Sequence, residues 1–203
     1  STLINLIPRF YDATEGSVKV DGVDVRKMTQ KDVRDRIGYV PQKGVLFSGT
    51  IDSNIRYGKP EITDAQVKEA AEVAQATEFI DTKPEKYESP VSQGGTNVSG
   101  GQKQRLSIAR AIAKEPEIFI FDDSFSALDF KTDSQLRKAL KEYTKDATTV
   151  IVAQRISTIL GADQIIVLDD GHMAGIGTHK ELMANCEVYQ QIARSQLSEE
   201  ELA

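Results

Sequence analysis

The chain has 203 residues, of which 39% are hydrophobic and 28% charged, and these proportions are ordinary for a soluble globular protein with a sizeable core. Its formal net charge of −6 argues against a broad nucleic-acid-binding face, so no nucleic-acid partner is expected. The single cysteine, Cys186, excludes an intrachain disulfide. No apolar run approaches the roughly 20 residues of a membrane helix, so any membrane role would come through other polypeptide.

Strand-like and helix-like segments alternate along the chain, which predicts an α/β domain with a largely parallel sheet. Short apolar runs rich in β-branched or aromatic residues indicate strands that are buried on both faces. These runs are 37–40, 118–121, 149–153 and 164–168. Two tight turns add hairpin strands: residues 17–20 precede Asp21-Gly22, and residues 172–176 follow Asp170-Gly171.

The character of the sequence becomes helical between residues 50 and 114. Thr63, with Gln66 three residues later, is typical of a helix N-terminus. A polar, glycine-rich loop is predicted over 89–96, and a second helix over 99–113. We therefore expect one domain over 1–203, in which a helical subdomain (50–114) is inserted into an α/β core (1–49 and 115–203).

The second helix begins at Ser99-Gly100-Gly101. Serine is a strong N-cap, and two glycines allow another molecule to approach the backbone closely. Free amides and the positive end of the helix dipole favour a bound phosphate there. The alternative is an ordinary glycine-containing cap. Lys103, Gln104 and Arg105 are expected to form the solvated and interface face of this helix.

The run 118–121 ends on an acidic residue, Asp122, at 20 residues after Gln102. A carboxylate at the carboxyl end of a buried strand can hold Mg²⁺, usually through water. Asp123 and the stretch 126–129, which ends on Asp129, come directly after it, and a helix is predicted beyond them.

The order and spacing of these stretches resemble the signature motif, Walker B strand and D-loop of ABC transporter ATPase domains. The resemblance covers essentially the whole chain and implies a P-loop NTPase-like fold. Tyr39-Val40-Pro41-Gln42 is similar to the Q-loop of the family, and residues 9–12 and 46–55 resemble exporters. The family's ATP and Mg²⁺ then imply a set of site residues. Gln42 and Asp122 would meet the metal, and the nucleotide would meet Gln42, Ser99, Gly100, Gly101, Gln102 and Asp129.

The first residues, Ser1-Thr2-Leu3, resemble the residues that come after the lysine of a P-loop, G-x-x-x-x-G-K-[ST]. Ser1 would then supply a hydroxyl to Mg²⁺, and Ser1 and Thr2 would contact the nucleotide. The glycines, the lysine and the strands before them are not among these residues. We therefore expect a chain truncated just after the Walker A lysine, inactive when isolated.

Two positions depart from the family pattern. The residue after the Walker B aspartate, a glutamate in active members, is Asp123, and the place of the switch histidine is taken by Gln154. A third difference, Gln93-Gly94-Gly95, replaces a glutamate-containing loop that faces the transmembrane coupling helices. Together these differences resemble the degenerate half of a heterodimeric exporter, with Asp123 and Gln154 in the catalytic positions. Neutral drift in an active enzyme is the alternative.

The resemblance also implies partners and a location. Two such domains pair head to tail, with ATP between the P-loop of one and the signature of the other. This chain would pair with a second nucleotide-binding domain and contact transmembrane coupling helices at the cytoplasmic face of the cell membrane. Closure of the dimer on ATP would power transport. The alternatives are an ABC ATPase without membrane helices, as in DNA repair or translation, and a non-catalytic module.

Overall fold

A computed structural model describes residues 1–198, and the last part of the predicted core, 199–203, lies outside the described residues. The chain forms two compact units, Ser1–Val152 and Ala153–Ala203. Among the described residues, the first unit contains two hydrophobic clusters and the second contains one.

The first unit contains a set of short strands and a set of helices. The strands are β1 (Lys19–Val20), β2 (Val23–Asp24), β3 (Ile37–Val40), β4 (Gly49–Thr50), β5 (Pro90–Val91), β6 (Ile118–Asp122) and β7 (Thr148–Val152). The helices are α1 (Gln30–Asp35), α2 (Ile51–Ile55), α3 (Asp64–Val73), α4 (Thr77–Asp81), α5 (Gly100–Ala113) and α6 (Phe130–Tyr143). Short 3-10 turns occur at Ile4–Leu6, Val25–Lys27, Lys86–Glu88 and Gln93–Gly95.

A parallel sheet in the order β3-β6-β7 lies at the centre of this unit, which confirms the predicted α/β class. The side chains of β6 alternate between two clusters. Phe119 and Phe121 belong to the larger cluster, which includes α3 and α5 residues, and Ile120 belongs to the cluster on the other face. Because both faces are covered, the strand is apolar without alternation, as predicted. β3 is covered in the same way.

β7 differs from the prediction of burial on both faces, since its residues are exposed or only partly buried. Within residues 1–198 it occupies the end of the sheet, with β6 as its neighbour. β3 is the other end strand of this sheet and is buried, so the end position alone does not account for the exposure of β7; fewer residues cover its faces.

Local signals in the first unit are reproduced closely. Thr63 caps α3, and its capping box includes Gln66. Asp21 and Gly22 both have positive φ values, of 50° and 77°, as a two-residue hairpin turn between β1 and β2 requires. The predicted loop 89–96 contains more structure than expected, because Pro90–Val91 pairs with Gly49–Thr50 and a 3-10 turn comes after it.

The second unit consists of α7 (Ile156–Ile159), β8 (Ile165–Asp169), β9 (His172–Gly177), α8 (His179–Asn185) and α9 (Glu187–Gln196). β8 and β9 form an antiparallel hairpin, with its turn at Asp170-Gly171 as predicted. The expectation that 164–168 is buried on both faces is wrong. Ile165 and Val167 are buried, whereas Ile166 and Leu168 are each 52% exposed, because the helices of this unit cover one face of a two-stranded sheet.

The helices α2, α3, α4 and α5 lie within 50–114. The assignment of that segment as an inserted subdomain stays a prediction, since the two compact units meet between residues 152 and 153. Along residues 1–198, no helix has both the length and the apolar composition that crossing a membrane requires.

Candidate nucleotide-binding site

The carboxyl ends of three parallel strands meet at one edge of the central sheet. β3 ends at Val40, β6 at Asp122 and β7 at Val152, and Asp122 pairs with Val152 in the register. Ligands of open α/β sheets bind outside this edge. Residues that come directly after these strands are therefore the first candidates for chemistry.

Asp122 is buried, with 5% of its surface exposed, and neighbouring hydroxyls approach both of its carboxylate oxygens. Ser1 Oγ donates to Asp122 Oδ1 at 2.9 Å. Tyr39 OH lies 3.3 Å from Asp122 Oδ2 and 3.0 Å from Asn5 Oδ1, so its one proton is shared between two acceptors. The buried carboxylate therefore has a hydrogen-bond partner for each of its oxygens.

The same environment changes the pKa of the Tyr39 hydroxyl. Its burial, followed by the negative charge of Asp122 and the hydrogen bond to it, raises the pKa of the Tyr39 hydroxyl to about 12. The phenol therefore remains a neutral donor throughout the physiological range.

Asp123 is also buried, at 9% exposure, and its backbone adopts a left-handed conformation with φ of 47°. Aspartate and asparagine tolerate this region better than most residues do. The Asp123 N–H donates to Val152 O at 2.8 Å, which continues the β6–β7 ladder by one bond. The turn directs the side chain toward the loop after β3, where Gln42 Nε2 donates to Asp123 Oδ2 at 3.1 Å.

The residues at this edge fit a magnesium ion by their donor chemistry. Ser1 and Asp122 offer oxygens within 2.9 Å of each other, and Gln42 carries a carboxamide oxygen. Mg²⁺ prefers oxygen ligands and is usually held by one or two carboxylates together with substrate phosphates and waters. Among the described residues, no group of three or more His, Cys, Asp or Glu side chains forms a metal site. When bound, the ion would neutralise charge on the phosphates.

The N-terminus of α5 is organised differently. Ser99 caps the helix by accepting from the Gln102 N–H at 3.2 Å, and Gln102 Oε1 accepts from the Ser99 N–H at 3.1 Å. A Cβ added at Gly100 would meet nothing within 4 Å, and one added at Gly101 would make only ordinary contacts, at 3.5 Å or more. Packing within the chain therefore does not require either glycine, although glycine is a poor helix former.

The structure differs from the predicted solvated and interface face of α5 at Gln104. Gln104 is 1% exposed rather than solvated. Arg105 is partly buried, donates to Gln75 O at 2.7 Å, and its guanidinium lies 4.7 Å from the centre of the Phe79 ring. The later part of α5, residues 106–113, packs in the core. Polar residues in the first turns of the helix are therefore buried as well.

Two other predicted site residues have local roles in the structure. Asp129 caps α6 by accepting from the Thr132 N–H at 3.0 Å, and this backbone hydrogen bond is the main cause of its lowered pKa. Gln154 lies in the second unit, where its backbone carbonyl accepts from Gln196 Nε2 at 2.9 Å. Thr2 is exposed in the turn that precedes Ile4–Leu6.

The structure thus brings Ser1, Gln42, Asp122 and Asp123 together at one edge. Sequence reasoning missed Tyr39 and Asn5, which share a hydrogen bond there. A signal for Tyr39 was present, since a tyrosine in an otherwise aliphatic strand usually has a partner for its hydroxyl. No sequence signal indicated Asn5, because the position of its side chain depends on how the chain folds back onto β3.

The parallel sheet and the acidic pair at its carboxyl edge define an α/β domain of the P-loop NTPase-like class. Comparison with known proteins gives the family: a model described as "ABC transporter" matches residues 1–126. The chain belongs to the ABC transporter family, as an ATP-binding domain.

Among its relatives, an uncharacterised ABC transporter ATP-binding protein of Mycobacterium bovis is 48% identical over 97% of this chain and 34% of its own length. A Staphylococcus aureus protein, named as a putative multidrug export ATP-binding/permease protein, is 47% identical over 95% of this chain and 33% of its own length. The structure of a bacterial Atm1-family ABC exporter with ATP bound matches 98% of this chain and 35% of that chain, with a TM-score of 0.93 and 39% identity. This chain therefore spans about a third of the length of these relatives.

Proposed function

We propose that this chain is the ATP-binding and ATP-hydrolysing motor of an ABC exporter, and that it forms the degenerate half of a heterodimer. The observation that carries the proposal is the contrast between two sites. The double glycine of α5, with Gly100 exposed and Gly101 partly buried, is not needed for packing within the chain, whereas the sheet edge carries an aspartate, Asp123, in the catalytic position.

The two glycines at the start of α5 support a partner's ATP site. A helix N-terminus without side chains at Gly100 and Gly101 presents its amides and dipole to an anion from outside the chain. In this proposal, Ser99, Gly100, Gly101 and Gln102 complete the site of a second nucleotide-binding domain that packs head to tail against this one. Asp129 contributes to the same site of the partner domain.

The sheet edge supports a weak site of this chain's own. Ser1, Gln42 and Asp122 would hold Mg²⁺ and the phosphates, with Thr2 beside them, and Asp123 would orient water. Aspartate is one methylene shorter than glutamate, and a catalytic group misplaced by about 1 Å can lose on the order of 10²-fold in rate. Gln154 donates and accepts hydrogen bonds but does not titrate near neutral pH as histidine does.

The names of the relatives favour an exporter over an ABC ATPase of DNA repair or translation. Transport would follow from ATP-driven closure of the two domains, passed to transmembrane coupling helices at the cytoplasmic face of the membrane. We propose in addition that a polypeptide of these 203 residues does not bind MgATP by itself, since it contains no G-x-x-x-x-G-K-[ST] sequence. Micromolar binding measured by calorimetry would contradict this last point.

The decisive experiment restores both catalytic positions, with Asp123→Glu and Gln154→His in the full-length heterodimer. The partner's own catalytic carboxylate is neutralised, so that turnover reports this chain's site. We expect hydrolysis at that site to rise at least about 10-fold, in line with the cost of a misplaced group. Gln154→His alone is the matched control, because it leaves Asp123 unchanged.

Unchanged turnover in the double variant, with the fold intact, would show that these two residues do not limit the site. Thermal unfolding of each variant is measured alongside, because glutamate is less tolerant than aspartate of the left-handed backbone at position 123.

A further inference from the structure

Gln104 connects helix α5 to the loop after β3. It lies about one turn inside the helix and is 1% exposed. Both ends of its carboxamide bind the backbone of that loop: Gln104 Oε1 accepts from the Gly44 N–H at 2.8 Å, and Gln104 Nε2 donates to Pro41 O at 3.0 Å. A buried amide with both ends satisfied is held in one orientation.

The loop also lies unusually close to the helix. A Cβ at Gly44 would stand 2.8 Å from Lys103 O and 2.9 Å from Ser107 Oγ, distances at which the helix or the loop would have to shift. Glycine at position 44 therefore allows the backbone of the loop to reach the Gln104 carboxamide. The loop and the helix are joined by both hydrogen bonds and close packing.

The two bonds bracket Gln42 and Lys43. Gln42 is the residue that reaches Asp123, with Nε2 to Oδ2 at 3.1 Å, so the position of its backbone determines whether that contact can form. Gly100, at the exposed end of α5, lies four residues before Gln104. At a helical rise of about 1.5 Å per residue, the two residues are about 6 Å apart along the helix axis. One helix thus carries the proposed surface for a partner's ATP at one end and the anchor of Gln42 a turn later.

We propose that Gln104 is a positioning residue that couples the signature end of α5 to Gln42, and thereby the partner's ATP site to this chain's own. The inference rests on the proposed function, because it takes Ser99–Gly101 and Gln42 as residues that meet nucleotide. A shift of α5 caused by ATP at the partner's site is transmitted through the two carboxamide bonds to the loop 41–44. Gln42 then moves relative to Asp123.

The test uses Gln104→Met in the full-length protein assembled with its partner. Methionine keeps the length and volume of the side chain but removes both hydrogen bonds. Ser107→Ala is the matched control, since Ser107 lies on the same helix, is buried beside Gly44, and its hydroxyl makes no hydrogen bond within the described residues. Gln104→Asn is a second variant that retains the amide but is too short to reach both loop atoms, in case methionine prevents folding.

The first readout is hydrogen exchange of the Gly44 amide without nucleotide. We expect exchange to rise about 10-fold or more in Gln104→Met, and also in Gln104→Asn, with no change in Ser107→Ala or in the amides of α5. The second readout is the ratio of ATP affinities at this chain's site with the partner's site empty and filled. We expect that ratio to fall to 1 in the Gln104 variants, with the affinity of the partner's site, measured while this chain's site is empty, retained.

A purely structural role predicts a different pattern, in which stability falls but the ratio of affinities stays at its wild-type value, and that result would overturn the proposal. Unchanged exchange at Gly44 would overturn it as well. The exchange measurement needs no ATP. If the wild-type protein neither binds nor hydrolyses ATP, the proposed function fails, while the connection between Gln104 and the loop is still tested.

Discussion

The sheet edge around Asp122 and the N-terminus of α5 are both proposed to serve ATP, yet they are built in opposite ways. The carboxylates of the sheet edge are buried and receive hydrogen bonds from Ser1, Tyr39 and Gln42. The end of α5 is exposed, and its own chain fills none of the space around Gly100. The first is preorganised by internal contacts, whereas the second is left open for a group from outside.

Because of this contrast, mutations at the two places can separate folding from function. Changes at the sheet edge disturb hydrogen bonds within the chain, so they affect stability and activity together. Changes at the glycines of α5 affect little within the chain, so an effect on activity there reports contact with another molecule.

Gly100→Asp in the full-length heterodimer should have the strongest effect, and it should act on the partner's ATP site. A carboxylate in the first turn suits the helix dipole, and a Cβ fits there without contact, so the domain is expected to keep its stability. In the proposed assembly the same charge would face the partner's phosphates, and we expect turnover at the partner's site to fall on the order of 10²-fold, as for removal of one stabilising group in an active site.

Gly100→Ala is the control for Gly100→Asp. Because the backbone at position 100 is helical and a Cβ meets nothing there, we expect Gly100→Ala to raise the free energy of unfolding by about 0.4–1 kcal/mol, which denaturant unfolding checks. Full turnover of the partner's site in Gly100→Asp would show that the end of α5 does not face nucleotide.

A smaller effect is expected for the helix caps. Ser99 and Thr63 form the same capping box on α5 and α3, and replacement of either by alanine should cost about 1 kcal/mol in unfolding free energy. Only Ser99→Ala should also reduce hydrolysis at the partner's site, because only that cap lies at the proposed interface. Equal turnover in the two variants would show that Ser99 does not contribute to the partner's ATP site.

The weakest effect concerns alkaline pH and the sheet edge. The pKa of Tyr39 is raised to about 12, from an ordinary value near 10. Its contribution to stability is therefore complete below pH 10 and is lost as the pH rises toward 12, because the unfolded chain releases this proton first.

Tyr39→Phe should make the free energy of unfolding less dependent on pH in that window. The Tyr39→Phe variant keeps part of the pH dependence, since burial also raises the pKa of Tyr143 to about 12. Equilibrium unfolding at pH 9, 10 and 11 measures the difference, and identical slopes for the two proteins would contradict the assigned environment of Tyr39.

The parts of the site that sequence reasoning predicted are those set by local order. Ser99 as a cap, and Asp122 at the end of a buried strand, follow from neighbours in sequence. The meeting of Gln42 with Asp123 was implied only by family resemblance. The burial of Gln104 was predicted wrongly, since a glutamine between a lysine and an arginine carries no local sign that a loop 60 residues earlier needs its amide.

The sequence alone determined the α/β class, the buried strands 37–40 and 118–121, the turns at Asp21 and Asp170, and the capping of α3 and α5. These features depend on hydrophobic period, cap chemistry and turn residues, which act over a few positions. Tertiary structure decided which strands are covered on one face, which hydroxyls serve Asp122, and that Gln104 holds the loop of Gln42. Those outcomes depend on which groups, distant in sequence, come within packing or hydrogen-bonding distance of each other. Only the folded chain brings such groups together, and buried polar groups then need partners.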